Sequence, residues 1–304
     1  MIDLTALNAL AAVLRAGGFE RAARQLHVTP SAVSQRIRVL EERLGCVLMV
    51  RSAPVTATAE GARLYRHYLQ VEVLEADLAH DLAPLADQSG QPAGRRSIPI
   101  ALNADSLATW GVAALADFSA RSGNTLAVHL DDQEHTREWL RGGTVFGAVT
   151  TAAEPVSGCR VDALGSMRYR AVVSPAFAER HFAGRTLAQG FSQAPMLVFN
   201  QKDQMQHRFL AEVTGADTAT PPEWWVPSSQ GFLDAARAGL GWGLHPQPLV
   251  AAGLADGSLV DLCPGHSVLM PLYWQSWRLD SATVRTLRDC MLRAAAAVLE
   301  PPAG

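Results

Sequence analysis

Leu4, Leu7, Leu10, Ala11 and Leu14 recur at three- and four-residue steps, which predicts a helix over residues 3–16 with one apolar face. Gly17-Gly18 ends it. Phe19, Ala22, Ala23 and Leu26 repeat the spacing over 19–26, and His27-Val28-Thr29 reads as a turn. Thr29 offers an N-cap and Pro30 suits the first helical position. Val33, Ile37, Leu40 and Leu44 then predict a helix over 30–44, closed by Gly45. The apolar run 47–50 suits a short strand, and 51–58 reads as a loop.

From 59 to about 86 the pattern is helical and long. Leu64, Val71, Leu78 and Leu85 fall at seven-residue spacing, with Tyr68, Leu74 and Leu82 on the same stripe. This predicts a short coiled-coil-like seam packing on a partner, interrupted by Glu75. Residues 87–97 are polar and rich in Gly and Pro, a linker. Beyond it, strand-like runs at 98–102, 126–130, 146–149, 169–173, 196–199 and 241–244 alternate with helical patterns near 107–119, 134–141, 176–182, 203–213 and 229–238. Such alternation predicts parallel α/β units, with a closing amphipathic helix at 281–299.

Composition narrows the classes. The 304 residues suggest about two domains. With 48% apolar and 18% charged residues, the chain is not a disordered one. No apolar run reaches the ~18–20 residues of a membrane span, and no basic segment precedes the first apolar stretch, so a cytoplasmic, unprocessed protein is expected. The four cysteines form no CxxC, and the nine histidines show no ligand spacing; neither a disulfide framework, a metal site nor a cofactor is expected. A net charge of -3 speaks against nucleic acid, but residues 20–51 carry six arginines against three glutamates, a local +3.

That basic segment coincides with helix 19–26, the three-residue turn and helix 30–44, the layout of a helix-turn-helix. Such a motif lays its second helix in the major groove. Pro30, Ser31, Ser34, Gln35 and Arg38 are then candidates near base edges, Arg36 and Arg51 for phosphates, and the capping Thr29 is a further DNA-binding candidate. The competing reading is a three-helix packing domain with a solvated arginine face.

The stretch FERAARQLHVTPSAVSQRIRVLEERLGCVLMVR resembles the winged helix-turn-helix of the LysR-type transcriptional regulators, through Phe19, Ala22-Ala23, Leu26, Ser31 to Ser34, Ile37, Leu40-Glu41, Leu44-Gly45, Leu48 and Arg51. The resemblance implies binding to double-stranded DNA and a linker helix pairing subunits into homodimers and homotetramers. It also implies contact with RNA polymerase and a two-lobed α/β effector domain, built like a periplasmic binding protein. The expected division is 1–58 DNA-binding domain, 59–94 linker helix and hinge, and 95–304 effector domain. Lobe I would hold about 95–163 and 268–304, and lobe II about 164–267. ALNADSLATW at 101–110, with VRSAPVTATAEG, GAV at 147–149 and LYW at 272–274, looks like the arginine/lysine-responsive branch of that family. That branch implies lysine or arginine as effector and activation of amino-acid export genes.

In open α/β sheets, ligands sit beyond the carboxyl ends of strands. Asn103, Asp105 and Ser106 follow the first effector-domain strand, Asp131 and Asp132 the second, and Thr150 the third. Asn200 and Asp203 follow a later strand, and Ser228-Ser229 open the helix near 230. Ser106 or the Ser228-Ser229 pair is expected to hold a ligand carboxylate at a helix start. Asp105 and one of Asp131, Asp132 or Asp203 would hold its positive groups. Each also fits a plain helix-capping role. The glycines of GLGWGLHP lack the following helix of a dinucleotide fingerprint, and Trp224-Trp225 read as loop packing. With no GxSxG elbow, an enzyme is the weaker class. An architectural DNA binder would not need a cleft, and a LysR-type regulator of another small molecule is the alternative within the favoured class.

Overall fold

The computed structural model describes residues 3–82, 97–130, 136–215 and 221–301. The chain opens with α1 (Leu4–Ala16), α2 (Phe19–Gln25) and α3 (Pro30–Leu44). Each start and stop has a local cause. Asp3 Oδ1 accepts from Thr5 N at 2.8 Å, and Gly17 closes α1 in the left-handed region. Thr29 Oγ1 accepts from Ala32 N at 3.2 Å, Pro30 occupies the first turn, and Gly45 closes α3 at φ 68°. Leu7, Leu10, Val13, Ala22, Ala23, Val33, Ile37 and Leu40 bury a small core between the three helices. Leu44, expected inward, lies 39% exposed beyond the last core turn.

The wing differs from the expected strand and loop. Only Met49–Val50 (β1) is extended, and it pairs antiparallel with Thr56–Ala57 (β2), inside the expected loop. Glu41 Oε1 accepts from Leu48 N at 2.8 Å, fastening the hairpin to α3. A 24-residue helix follows, α4 (Ala59–Leu82). Its buried apolar side chains are Leu69 and Val73, which lie outside the heptad series expected to face a partner. Leu64 packs on the N-terminal core, while Leu74, Leu78 and Leu82 are exposed together. Leu85 and residues 87–96 of the predicted linker 87–97 lie outside the described residues, and Ser97 is already in a strand.

The remainder builds on β3 (Ser97–Leu102), α5 (Ala104–Ser106), a π-helical turn (Leu107–Gly111), α6 (Val112–Ser122), β4 (Thr125–Leu130), α7 (Thr136–Gly142) and β5 (Gly147–Thr150). Strands β4 and β5 flank β3 in parallel, as the alternation predicts. Then comes the 15-residue β6 (Cys159–Val173). Next in order are α8 (Pro175–Phe182), α9 (Leu187–Gln193), β7 (Met196–Val198), α10 (Met205–Thr214), β8 (Glu223–Trp225), α11 (Ser229–Arg237), β9 (Gly243–Pro246), α12 (Gln247–Asp256), β10 (Val260–Asp261), β11 (Val268–Trp277) and α13 (Ala282–Ala296).

The sheet is mixed, not wholly parallel. β11 runs antiparallel to both β5 and β6. The second part of β6 pairs antiparallel with β9 and β10. The long strands β6 and β11 therefore join the β3–β4–β5 side to the β9–β10 side. Trp224 and Trp225, expected as loop packing, form β8 beside β7 and stay about half exposed. Among the described residues no helix is long and apolar enough to cross a membrane.

α4 touches both bodies of the molecule. Tyr68 packs against both cores, and its hydroxyl lies 3.0 Å from Asn8 Oδ1 and 2.9 Å from Glu72 Oε1. Glu72 also pairs with Arg15 of α1. Further along, Asp77 Oδ1 accepts from Thr283 Oγ1 at 2.6 Å at the start of α13. The wing sits hard against α4 at Gly61, where an added Cβ would lie 1.8 Å from the Leu48 carbonyl oxygen. Backbone cannot yield as a side chain does. Gly61→Ala is therefore expected to destabilise the protein by at least about 1–3 kcal/mol. Urea unfolding of the variant checks this; an unchanged midpoint would contradict the close approach.

Candidate effector cavity and DNA-contact helix

A cavity of about 590 Å³ opens between the C-terminal end of β3, the loop into α10, the first turns of α11, and β9. Its size suits a small polar molecule. Asn103 follows β3 and its Oδ1 accepts from Ser106 N at 2.8 Å, capping α5. That cap turns Asp105 toward the far lobe. Asp105 Oδ1 accepts from Ser229 Oγ at 2.6 Å, and Oδ2 accepts from Tyr169 Oη at 2.8 Å. One carboxylate thus links α5, the long strand β6 and the N-terminal turn of α11.

Burial raises the Asp105 carboxyl pKa, the donors Ser229 and Tyr169 oppose the rise, and the nearby Asp203 adds to it. Burial and the facing Asp105 hold the Tyr169 hydroxyl well above its ordinary range, so it remains a donor. The cavity wall is acidic at Asp105, Asp203 and Glu212, and basic at Lys202 and Arg208. Asp203 accepts from Phe199 N at 3.1 Å and from Met205 N at 3.0 Å, so it also shapes its own loop. Asn200 Oδ1 accepts from Lys202 N at 2.9 Å in the same loop.

Five sequence candidates therefore meet at the cavity: Asn103, Asp105, Asn200, Asp203 and Ser229. Others do not line it. The Ser106 hydroxyl is buried and outside the lining, and its amide is taken by Asn103. Ser228 Oγ accepts from Gly231 N at 3.2 Å and caps α11. Thr150 Oγ1 accepts from Ala152 N at 2.8 Å and turns the chain after β5. Asp131 and Asp132 lie outside the described residues. Ser229 is a donor to Asp105, a different task from the carboxylate contact expected of it. Tyr169, Gln206 and His245 also line the cavity, but each sits within a strand or helix, where no loop position marks it in the sequence. A polar tip inside the apolar run 169–173 was the available signal for Tyr169.

In the N-terminal body, α3 turns Val33, Ile37 and Leu40 inward and leaves Ser31, Gln35 and Arg38 exposed on the opposite side. Ser34 and Arg36 are half-exposed, and Pro30 and Thr29 lie at the exposed start. Thr29 Oγ1 and Ser31 Oγ are 3.0 Å apart, and Arg38 Nε donates to Glu42 Oε1 at 3.0 Å. Arg51 follows β1 with its guanidinium 5.7 Å from the Phe19 ring centroid. This is a helix-turn-helix with a wing and an uncovered second helix.

Residues 4–62 match the bacterial regulatory helix-turn-helix protein, lysR family, and residues 92–296 match the LysR substrate binding domain. The chain belongs to the LysR family of transcriptional regulators. This LysR-type regulator is 44% identical over 295 residues to the HTH-type transcriptional regulator LysG of Mycobacterium tuberculosis (strain ATCC 25618 / H37Rv), spanning 97% of this chain and 94% of that one. It is 42% identical to the HTH-type transcriptional regulator ArgP of Pseudomonas fluorescens (strain Pf0-1), spanning 99% of each. The crystal structure of ArgP from Mycobacterium tuberculosis superposes with a TM-score of 0.85 at 42% identity, covering 99% of this chain and all of that one. Full-length LysG from Corynebacterium glutamicum, solved with bound effector Arg, superposes with a TM-score of 0.79 at 35% identity, covering 98% and 100%. These LysR relatives are regulators of transcription, not enzymes. The two-lobed effector fold anticipated from the sequence is the one the family carries.

Because Ser229 and Tyr169 oppose the effect of burial on Asp105, removing either hydroxyl should raise the Asp105 pKa further. Carboxyl ¹³C titration of Ser229→Ala and Tyr169→Phe against the unmodified protein measures this; a fall in either variant contradicts the donor roles.

Proposed function

We propose that this LysR-type regulator answers to a basic amino acid, arginine or lysine, held in the cavity at Asp105, and switches amino-acid export genes in response. The observation that carries the reading is a buried carboxylate whose hydrogen-bond partners among the described residues are the neutral hydroxyls of Tyr169 and Ser229, with a second acid, Asp203, beside it. Two such acids favour a cationic guest. Lys202 and Arg208 complement an α-carboxylate on the same wall. The bound arginine of the Corynebacterium relative supports the same chemistry. No resident cofactor is called for in this scheme.

Residues 1–58 would bind duplex DNA, 59–94 would join subunits, and 95–304 would hold the effector between lobes at about 95–163 with 268–304 and about 164–267. The separate N-terminal core and the exposed Leu74, Leu78 and Leu82 support this division and a homodimer, or a homotetramer built from it. The regulator would work in the cytoplasm with RNA polymerase as its partner on DNA. Pro30, Ser31, Ser34, Gln35 and Arg38 would face base edges. Thr29, Arg36 and Arg51 would lie nearer phosphates, with Thr29 fixing the helix start.

Calorimetric titration with arginine, lysine and leucine tests the effector. A basic amino acid should bind saturably, leucine should not, and Asp105→Ala should weaken binding about 100-fold or more. A cation stabilises the Asp105 carboxylate, whereas burial alone favours its neutral form. Binding should therefore release a proton at pH values below the raised pKa of the free protein and above that of the complex. Affinity should fall as pH drops through that window, and buffers of different ionisation heat report the proton. Absence of binding by both basic amino acids overturns the effector reading.

The DNA face has its own test. On a duplex selected from a random pool by the protein, Gln35→Ala should cost about 1–3 kcal/mol and relax preference at one position. Arg36→Ala should weaken binding to all sequences and reduce the salt slope by about one. Equal loss on all sequences in Gln35→Ala would remove Gln35 from base readout.

A further inference from the structure

The cavity wall holds two more polar side chains taken out of water. Gln206, in the first turn of α10, is 2% exposed, and its Oε1 has no hydrogen-bond partner among the described residues. His245, on β9, is 1% exposed, and neither ring nitrogen has a partner there. Its ring centroid lies 4.9 Å from that of Phe232, one turn of α11 beyond Ser229. Both residues line the cavity that Asp105 lines. Buried polar atoms are ordinarily hydrogen-bonded, so two unsatisfied groups on one cavity wall call for a partner from the guest.

Building on the arginine-or-lysine reading above, we propose that Gln206 and His245 are the residues that make this cavity prefer a guanidinium to a primary ammonium. Gln206 Oε1 can only accept. The His245 ring is neutral, held down to about 3 first by burial and then by Arg237, and so keeps a lone pair on one nitrogen. Asp105 already receives two hydrogen bonds from the protein. A guanidinium brings five N–H donors in a rigid plane and can serve Asp105 together with both extra acceptors. An ammonium's three donors radiate from one atom, whereas the guanidinium fork spreads five over three nitrogens and suits acceptors distributed along a wall. A site built to hydrogen-bond a group discriminates against a guest lacking it, because its own buried polar atoms then stay unpaired.

The test is calorimetric titration of the full chain, Gln206→Leu and His245→Leu with arginine and with lysine. Unmodified protein should bind arginine more tightly. Each variant should lose roughly tenfold in arginine affinity and less than about threefold in lysine affinity, narrowing the preference. A histidine ¹⁵N spectrum, assigned against His245→Phe, follows the ring in the unmodified protein itself. The His245 ring resonances should move with saturating arginine and move less with lysine. Arginine and lysine losses of equal size, or His245 resonances that ignore arginine, overturn the assignment. If the unmodified protein binds neither amino acid, the effector reading fails first. If it binds both and the ratio survives both substitutions, only the selectivity inference fails.

Discussion

A carboxylate removed from water must be met by donors, and at Asp105 those donors come from distant parts of the chain. Tyr169 reaches it from the strand common to both halves of the sheet, and Ser229 from the first turn of a helix more than a hundred residues away. The loop after β3, the register of β6 and the position of α11 are all constrained by one side chain. Both donors are uncharged, so the acid keeps an unmet demand for positive charge. The contact between the lobes at this point and the affinity for a cation proposed above would have the same origin.

The mixed sheet makes that arrangement possible. A wholly parallel sheet with successive crossovers would place each lobe on its own strands. Here β6 and β11 run antiparallel through both, with Tyr169 near the crossing and its cross-strand partner Pro246 on β9. The preceding π-helical turn also bears on the site. Gly111 approaches the Ser106 carbonyl so closely that a Cβ would lie 2.9 Å from it, and Thr109 Oγ1 donates to the Asp105 carbonyl at 2.7 Å. The widened turn braces the backbone of the acid itself.

Much of this was legible where the cause is local. The caps Thr29, Gly17 and Gly45 and the apolar spacing of the first three helices lie within a few residues of what they determine. So does Asp105, a polar residue between a strand and a helix. The wing's second strand was not legible, since Thr56–Ala57 is too short to alternate. The direction of β11 was not either, because its partners lie over a hundred residues away and no nearby residue encodes them. Tyr169, Gln206 and His245 carry polar atoms inside apolar elements. Their roles depend on which wall they end up facing, which only the assembled lobes decide.

α4 is held to the N-terminal body at Tyr68 and Glu72 and to α13 at Asp77, and Arg66 Nη1 donates to the Arg141 carbonyl at 3.3 Å. Twenty-four residues make a rod of about 36 Å. For a rod of that length, each degree of tilt at one end carries the other through roughly 0.6 Å. A tilt of about five degrees therefore sweeps about 3 Å, close to the ~3.4 Å spacing of bases along one strand of a duplex. A rod of this length would convert a small reseating of α13 against α4 into a displacement of base-pair size at its far end.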